Sequence, residues 1–260
     1  MRVIDGNRRL PRKVLLALSA AGWISLLYLA WVVGGDSWDR TQFSLRAMAG
    51  ALPELDPFSE RYRTRPLLTL FHTIPGLLFA ILGPIQFMGP VRRRFPVLHR
   101  ASGRIFVVIG ITCGIAAFIM TLRFPIWGMT ANLVTSSVFA LFMVFAFVTA
   151  FRHVKARRFA QHREWMIRGF AAGMSVAFFR VMLSDVLPLM GIANFDIRWN
   201  ITASISFPIT VGIAELWIRA TRKRDRTPRE APADAPGTSA APAGALGVTA
   251  APAAPSAAAP

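Results

Sequence analysis

Leu98-His99-Arg100-Ala101-Ser102-Gly103-Arg104 runs without a break into IFVVIGITCGIAAFIMTL, residues 105–122. That second part carries no charge over 18 positions, about the length at which a helix crosses a bilayer. In hydrocarbon every backbone N–H and C=O has to pair within its own segment, so such a run is helical. A second stretch of the same kind, Gln161-His162-Arg163-Glu164-Trp165-Met166-Ile167-Arg168, lies 63 residues on and also leads into an apolar segment. A basic His-Arg stretch feeding an apolar span is therefore a repeated unit of this chain.

Working outward, the 260 residues are 54% hydrophobic and only 17% charged. Soluble domains carry about 25% charge. Apolar runs fall at about 14–35, 67–89, 105–122, 129–151, 169–190 and 200–218. The expected fold is all-α: a polytopic membrane protein of six transmembrane helices, spans two to five forming a four-helix core. The first run is too long and too aromatic for a signal-peptide core of about 7–15 residues. The single Cys113 lies within span three, which excludes an intrachain disulfide and marks it as packing.

The formal charge of +17 would suit nucleic-acid binding in a soluble protein. Here the positive-inside rule accounts for it, so no nucleic-acid partner is expected. Segments 1–13, 91–104, 152–168 and 219–229 together hold 22 Lys and Arg; the alternating segments hold 7, of which five are matched by five acids. Both termini are therefore expected on the cytoplasmic side of the membrane. The domain plan is a basic cytoplasmic N-terminus (1–13), a membrane domain (14–218) and a cytoplasmic tail (219–260). Of residues 231–260, 14 are Ala and 6 are Pro, which predicts disorder. Residues 41–52 are expected as a short amphipathic surface helix, and 123–128 as a tight turn with Trp127 at the interface.

Ionisable residues inside spans are costly and usually mark function. At ~1.5 Å per residue, His72 and Asp185 each lie roughly 7 Å below the outer surface. With Asn132, Thr130, Thr135 and Ser136 from span four, they predict an outer polar pocket with Arg180 at its floor. The alternative is a set of polar groups that only satisfy one another. Glu215, near the inner end of span six, is expected to pair with Arg219 one turn on.

His99 and His162 begin parallel spans at the same cytoplasmic level. On a wheel of 100° per residue, Gly103, Gly110 and Ala117 lie within about 40° of His99, and Gly169, Gly173 and Arg180 within about 20° of His162. Small residues at this spacing allow close helix approach, or leave room for a flat ligand. One reading is a haem b with His99 and His162 as axial ligands and Arg100, Arg104, Arg163 and Arg168 on the propionates. The other is interfacial residues that set topology and bind anionic lipid.

These motifs resemble the bacterial membrane-protein family called domain of unknown function 2306. The likeness rests on His72 with Gly83-Pro84-Ile85-Gln86-Phe87, on His99-Arg100 with Gly103-Arg104, and on His162-Arg163 with Trp165-Met166-Ile167-Arg168 and Arg180, and covers about 67–215. It implies a fold and a set of site positions rather than a reaction. A looser likeness is to the six-helix transmembrane haem-b cytochromes, whose haems sit between spans two and four and between three and five. His99 and His162 match the second pair. The outer half of span four holds no His to match the first, so at most one haem is implied. Three functions follow: a redox protein holding haem b or a quinone at the cytoplasmic edge of spans three and five, a small transporter or sensor using the outer pocket, or a structural or assembly protein. The chain contains no phosphate loop, nucleophile elbow or zinc spacing typical of soluble enzymes.

Overall fold

A computed structural model describes residues 12–51, 57–124 and 130–222. The basic start of the chain, the link at 125–129 with Trp127, and the Ala/Pro-rich tail lie outside the described residues. The described residues are helical with no strand: α1 Arg12–Met48, α2 Pro57–Thr64, α3 Pro66–Phe87, α4 Gly89–Arg94, α5 Pro96–Arg123, α6 Thr130–Lys155, α7 Phe159–Leu189 and α8 Phe195–Thr221. Five of them, α3, α5, α6, α7 and α8, are long and apolar enough to cross a membrane. The first expected span, 14–35, falls within α1.

Local chemistry sets the ends. Proline opens α3 and α5 at Pro66 and Pro96, where its missing N–H would be unpaired anyway. Asn194 caps α8 by accepting from the Ile197 N–H at 3.0 Å. The surface helix expected over 41–52 does not form separately. No Gly or Pro interrupts 36–48, and α1 continues through it to Met48, burying Ser37, Thr41 and Ser44 at helical spacing. Thr41 Oγ1 donates to Thr73 Oγ1 of α3 at 2.8 Å.

The polarity of α3 shows the solvent these helices are built for. Leu67, Phe71, Ile74, Leu78 and Ile81 form an exposed apolar stripe. The buried face carries Thr69, Thr73, Gly76, Gly83 and Gln86 beside Phe79, Ala80 and Pro84. A water-soluble helix has the opposite arrangement, and an apolar stripe of this length facing outward belongs in lipid.

Helices α3, α5, α6 and α7 pack in sequence around a common core. Helix α1 lies along α3 and touches α7; α8 lies along α7 and touches α6. At the centre, each of the four core helices contributes one phenylalanine: Phe79, Phe106, Phe147 and Phe170. Phe79 stacks on Phe106 with centroids 4.9 Å apart, and Phe147 meets Phe106 edge-on at 5.6 Å. Phe170 closes the group 5.4 Å from Phe79. Such offset and edge-to-face contacts contribute about 0.5–1.5 kcal/mol a pair beyond burial. The four-ring cluster divides the core lengthwise, with the starts of α5 and α7 on one side and the start of α3 on the other.

Candidate functional site

On one side of the rings are the two His-Arg stretches. His162 Nδ1 lies 2.9 Å from the Ala150 carbonyl. A carbonyl only accepts, so Nδ1 carries the proton and Nε2 keeps its lone pair. His99 Nδ1 is buried with no hydrogen-bond partner among the described residues. Three of the nearby cations, Arg163, Arg168 and Arg222, are committed to neighbours. Arg168 pairs with Glu215, Nε to Oε1 at 2.5 Å, and lies 4.8 Å from the Trp165 ring centre. Arg163 donates to Thr221 at 2.8 Å, and Arg222 grips Glu164 through two bonds of 2.9 Å. Arg100 and Arg104 are exposed. The expected Glu215–Arg219 pair is replaced by Glu215–Arg168, which joins α8 to α7 rather than bracing one turn of α8.

The glycine faces do not provide room for a haem. A Cβ on Gly110 would meet the Phe147 ring at 2.6 Å, and one on Gly173 would meet Phe79 at 2.6 Å. Gly169 faces Phe147 and Gly103 faces the Gln86 amide, itself tied to Ser102 Oγ at 2.6 Å. Each missing side chain on the two His faces is thus taken up by a side chain of a neighbouring helix. Nearest the two histidines, Gln86 lies against Gly103 and Phe147 against Gly169.

Across the rings, toward the start of α3, lies a cavity of about 670 Å³. His72, Thr73, Cys113, Ser136, Arg180 and Ser206 line it together with Val33, Phe79, Met143 and Phe179. Arg180 Nη2 lies 2.7 Å from Asp36 Oδ2 of α1, and Asp36 and Arg40 also line the cavity. His72 Nδ1 lies 3.2 Å from the Cys113 carbonyl while Cys113 Sγ lies 3.8 Å from the His72 carbonyl. The carbonyl only accepts, so His72 Nδ1 carries a proton, and Cys113 Sγ lies 3.5 Å from the same nitrogen. The floor is apolar: Gly173 touches Phe79 and Met143. Arg180 stands seven residues above Gly173, roughly 10 Å at 1.5 Å per residue, so it belongs to the wall and not to the floor.

A family profile described as predicted membrane protein (DUF2306) matches residues 69–218, from the first turn of α3 to the last turns of α8. The chain belongs to the DUF2306 family. No curated protein and no solved structure matches it. The matched region of this DUF2306 chain holds His72, Cys113 and Arg180 of the cavity and both His-Arg stretches. Asp36 and Arg40 lie before it.

The structure places the remaining expected residues as follows. Asp185 is exposed and does not line the cavity. It sits in a π turn, Met182–Val186, where α7 loosens and Arg198 donates to the Leu183 carbonyl at 3.3 Å. Ser136 lines the cavity, whereas the side chains of Thr130 and Asn132 lie outside the described residues. Among the described residues no group of three or more His, Cys, Asp or Glu could hold a metal ion. Several cavity residues were not expected from the sequence, among them Asp36, Arg40 and Cys113. Asp36 reads as the first loop acid after an apolar run, and Cys113 as inert packing. The uninterrupted helix signal across 36–48 was the clue to Asp36.

Proposed function

We propose that this chain is a small transporter or sensor of the bacterial inner membrane that takes a small molecule into the cavity of His72 and Arg180. In this reading α1 is a sixth span, both termini are cytoplasmic, residues 14–218 form the membrane domain, and the cavity opens toward the outer side. The observation that carries it is the cavity itself. It has a volume in the range of small-molecule pockets, an apolar interior, and a few convergent polar groups, the usual composition of a ligand site. Ionisable groups kept within spans are costly and usually mark function, and here His72 and Arg180 line one space. The cytoplasmic-edge His-Arg stretches serve topology in this reading, and the exposed Arg100 and Arg104 contact anionic lipid.

The test is binding to the detergent-purified chain of a panel of small amphipathic carboxylates, amines and alcohols. Binding that is lost in His72→Ala and in the cavity-filling Ala117→Trp supports the reading. A panel in which nothing binds, with Cys113 unreactive toward methyl methanethiosulfonate, overturns it.

A further inference from the structure

We propose that Tyr62 of α2 is the gate of the cavity, held across its open end by Phe124 and Arg40, and that its displacement admits the ligand. This rests on the reading of the cavity as a ligand site and adds the regulation of that site.

The phenylalanine cluster packs the bundle at one end of the cavity, where Phe79 lies against Gly173. Along α5 the lining residues climb away from that cluster, from Cys113 through Ala117 and Thr121 to Phe124. Cys113 stands seven residues beyond Phe106, roughly 10 Å, and Phe124 stands 18 residues beyond it, roughly 27 Å at 1.5 Å per residue. The Phe124 end is therefore the mouth. There Tyr62 meets Phe124 edge-on, with ring centroids 5.6 Å apart. The Arg40 guanidinium of α1 lies 4.6 Å from the centre of the same Tyr62 ring. All three residues line the cavity. One phenol thus bridges the end of α5 and α1, two helices that each pack along α3 rather than along one another.

The parts differ in how firmly they are held. Phe124 is buried, whereas Tyr62 is half-buried and belongs to a helix of eight residues. A helix that short is not stable by itself. The Glu60–Arg63 ion pair braces one turn of α2 and does not anchor it to the core. The moving part is therefore Tyr62, and Phe124 is the fixed edge it closes on. A ring–ring contact and a cation–π contact each shift an opening equilibrium by roughly two- to tenfold. Contacts of that size keep the mouth mostly closed and still let it open readily.

The chain carries its own reporter of passage. Cys113 is its single cysteine and lies in the cavity roughly 17 Å below Phe124 along α5. The full-length protein in lipid nanodiscs, with both faces open to water, is treated with methanethiosulfonates bearing a sulfonate or a trimethylammonium group. Opening a gate speeds both reagents, whereas a change of local potential speeds one and slows the other. Tyr62→Ala is expected to speed both by roughly tenfold. Tyr62→Phe, which keeps the ring, should stay close to the parent rate, and Arg40→Gln should raise the geometric mean of the two rates by a smaller factor. A second reporter, Ala117→Cys in a Cys113→Ser background, should show the same ratios. If either thiol reacts but Tyr62→Ala leaves both rates unchanged, or speeds one reagent and slows the other, the gate is overturned while the cavity reading stands. If neither thiol reacts in any variant, even with the neutral methyl reagent, the cavity reading falls and the gate with it.

Discussion

Arg180 and Asp36 meet at 2.7 Å across the boundary between α7 and α1, two helices whose residues are 144 positions apart in the chain. The pair ties α1 to the four-helix core at the level of the cavity. Because both groups are partly exposed, its net contribution is small, about 1 kcal/mol. Asp36→Asn is therefore expected to lower the melting temperature in detergent by no more than a few degrees. A loss of folded protein would mean that the carboxylate, and not the cavity, governs this end of the bundle.

Gly173 offers a sharper stability test. A Cβ there would lie 2.6 Å from the Phe79 ring at the centre of the cluster and 3.2 Å from Met143 Cε. Gly173→Val should destabilise by about 1–3 kcal/mol through overpacking. The double variant with Phe79→Leu should recover part of that loss, giving a coupling energy of the opposite sign in a double-mutant cycle. Strictly additive losses would count against direct contact.

Arg168 and Glu215 make a two-point contact at 2.5 and 3.1 Å with side chains 16% and 32% exposed. Hydrogen bonds between charged groups contribute about 1.5–3 kcal/mol when shielded, and less at this exposure. Glu215→Gln is expected to cost about 1 kcal/mol, and a cycle with Arg168→Gln to show coupling. Coupling between Glu215 and Arg219 instead would restore the within-helix pairing expected from the sequence.

On the surface helix α2, the hydrogen bond from Arg63 holds the Glu60 carboxyl below the usual carboxylate range. A carboxyl whose folded value is depressed binds its proton less readily in the fold than in the unfolded chain. Its contribution is therefore present above the unfolded value and lost as pH falls through the folded one. Following the Glu60 carboxyl carbon by NMR should show a titration midpoint that Arg63→Gln moves upward. An unmoved midpoint would show that the pair does not persist in solution.

The filled glycine faces lead to a spectroscopic prediction. Purified protein supplied with haemin should develop no Soret band that depends on His99 and His162. A low-spin spectrum abolished by both His99→Ala and His162→Ala would mean the rings of Phe79 and Phe147 can move out of the way.

The helical membrane fold was legible because lipid leaves the backbone few choices, and a charge-free run such as 105–122 states its structure outright. His72 and Arg180 were legible as cavity residues for the same reason, as costly groups inside spans. Asp185 was misplaced because depth along a helix was weighed without direction around it. It lies five residues beyond Arg180, about 140° round the wheel, and so faces elsewhere. The glycines misled differently. Their spacing announces close approach, but not whether a neighbouring side chain or a ligand fills the gap. Phe79, Phe147 and Phe170 come from other helices, and no local pattern connects them to Gly173, Gly110 or Gly83.

That exchange of volume carries a consequence for descent. Each phenyl of the central cluster that fills a glycine's gap can grow or shrink only if the glycine opposite changes in the other direction. Gly173 with Phe79, Gly110 with Phe147 and Gly83 with Phe170 are therefore coupled positions. Across relatives of this chain, a larger residue at one member of a pair should accompany a smaller one at the other, so that three distant pairs record the packing of the bundle as correlated substitutions.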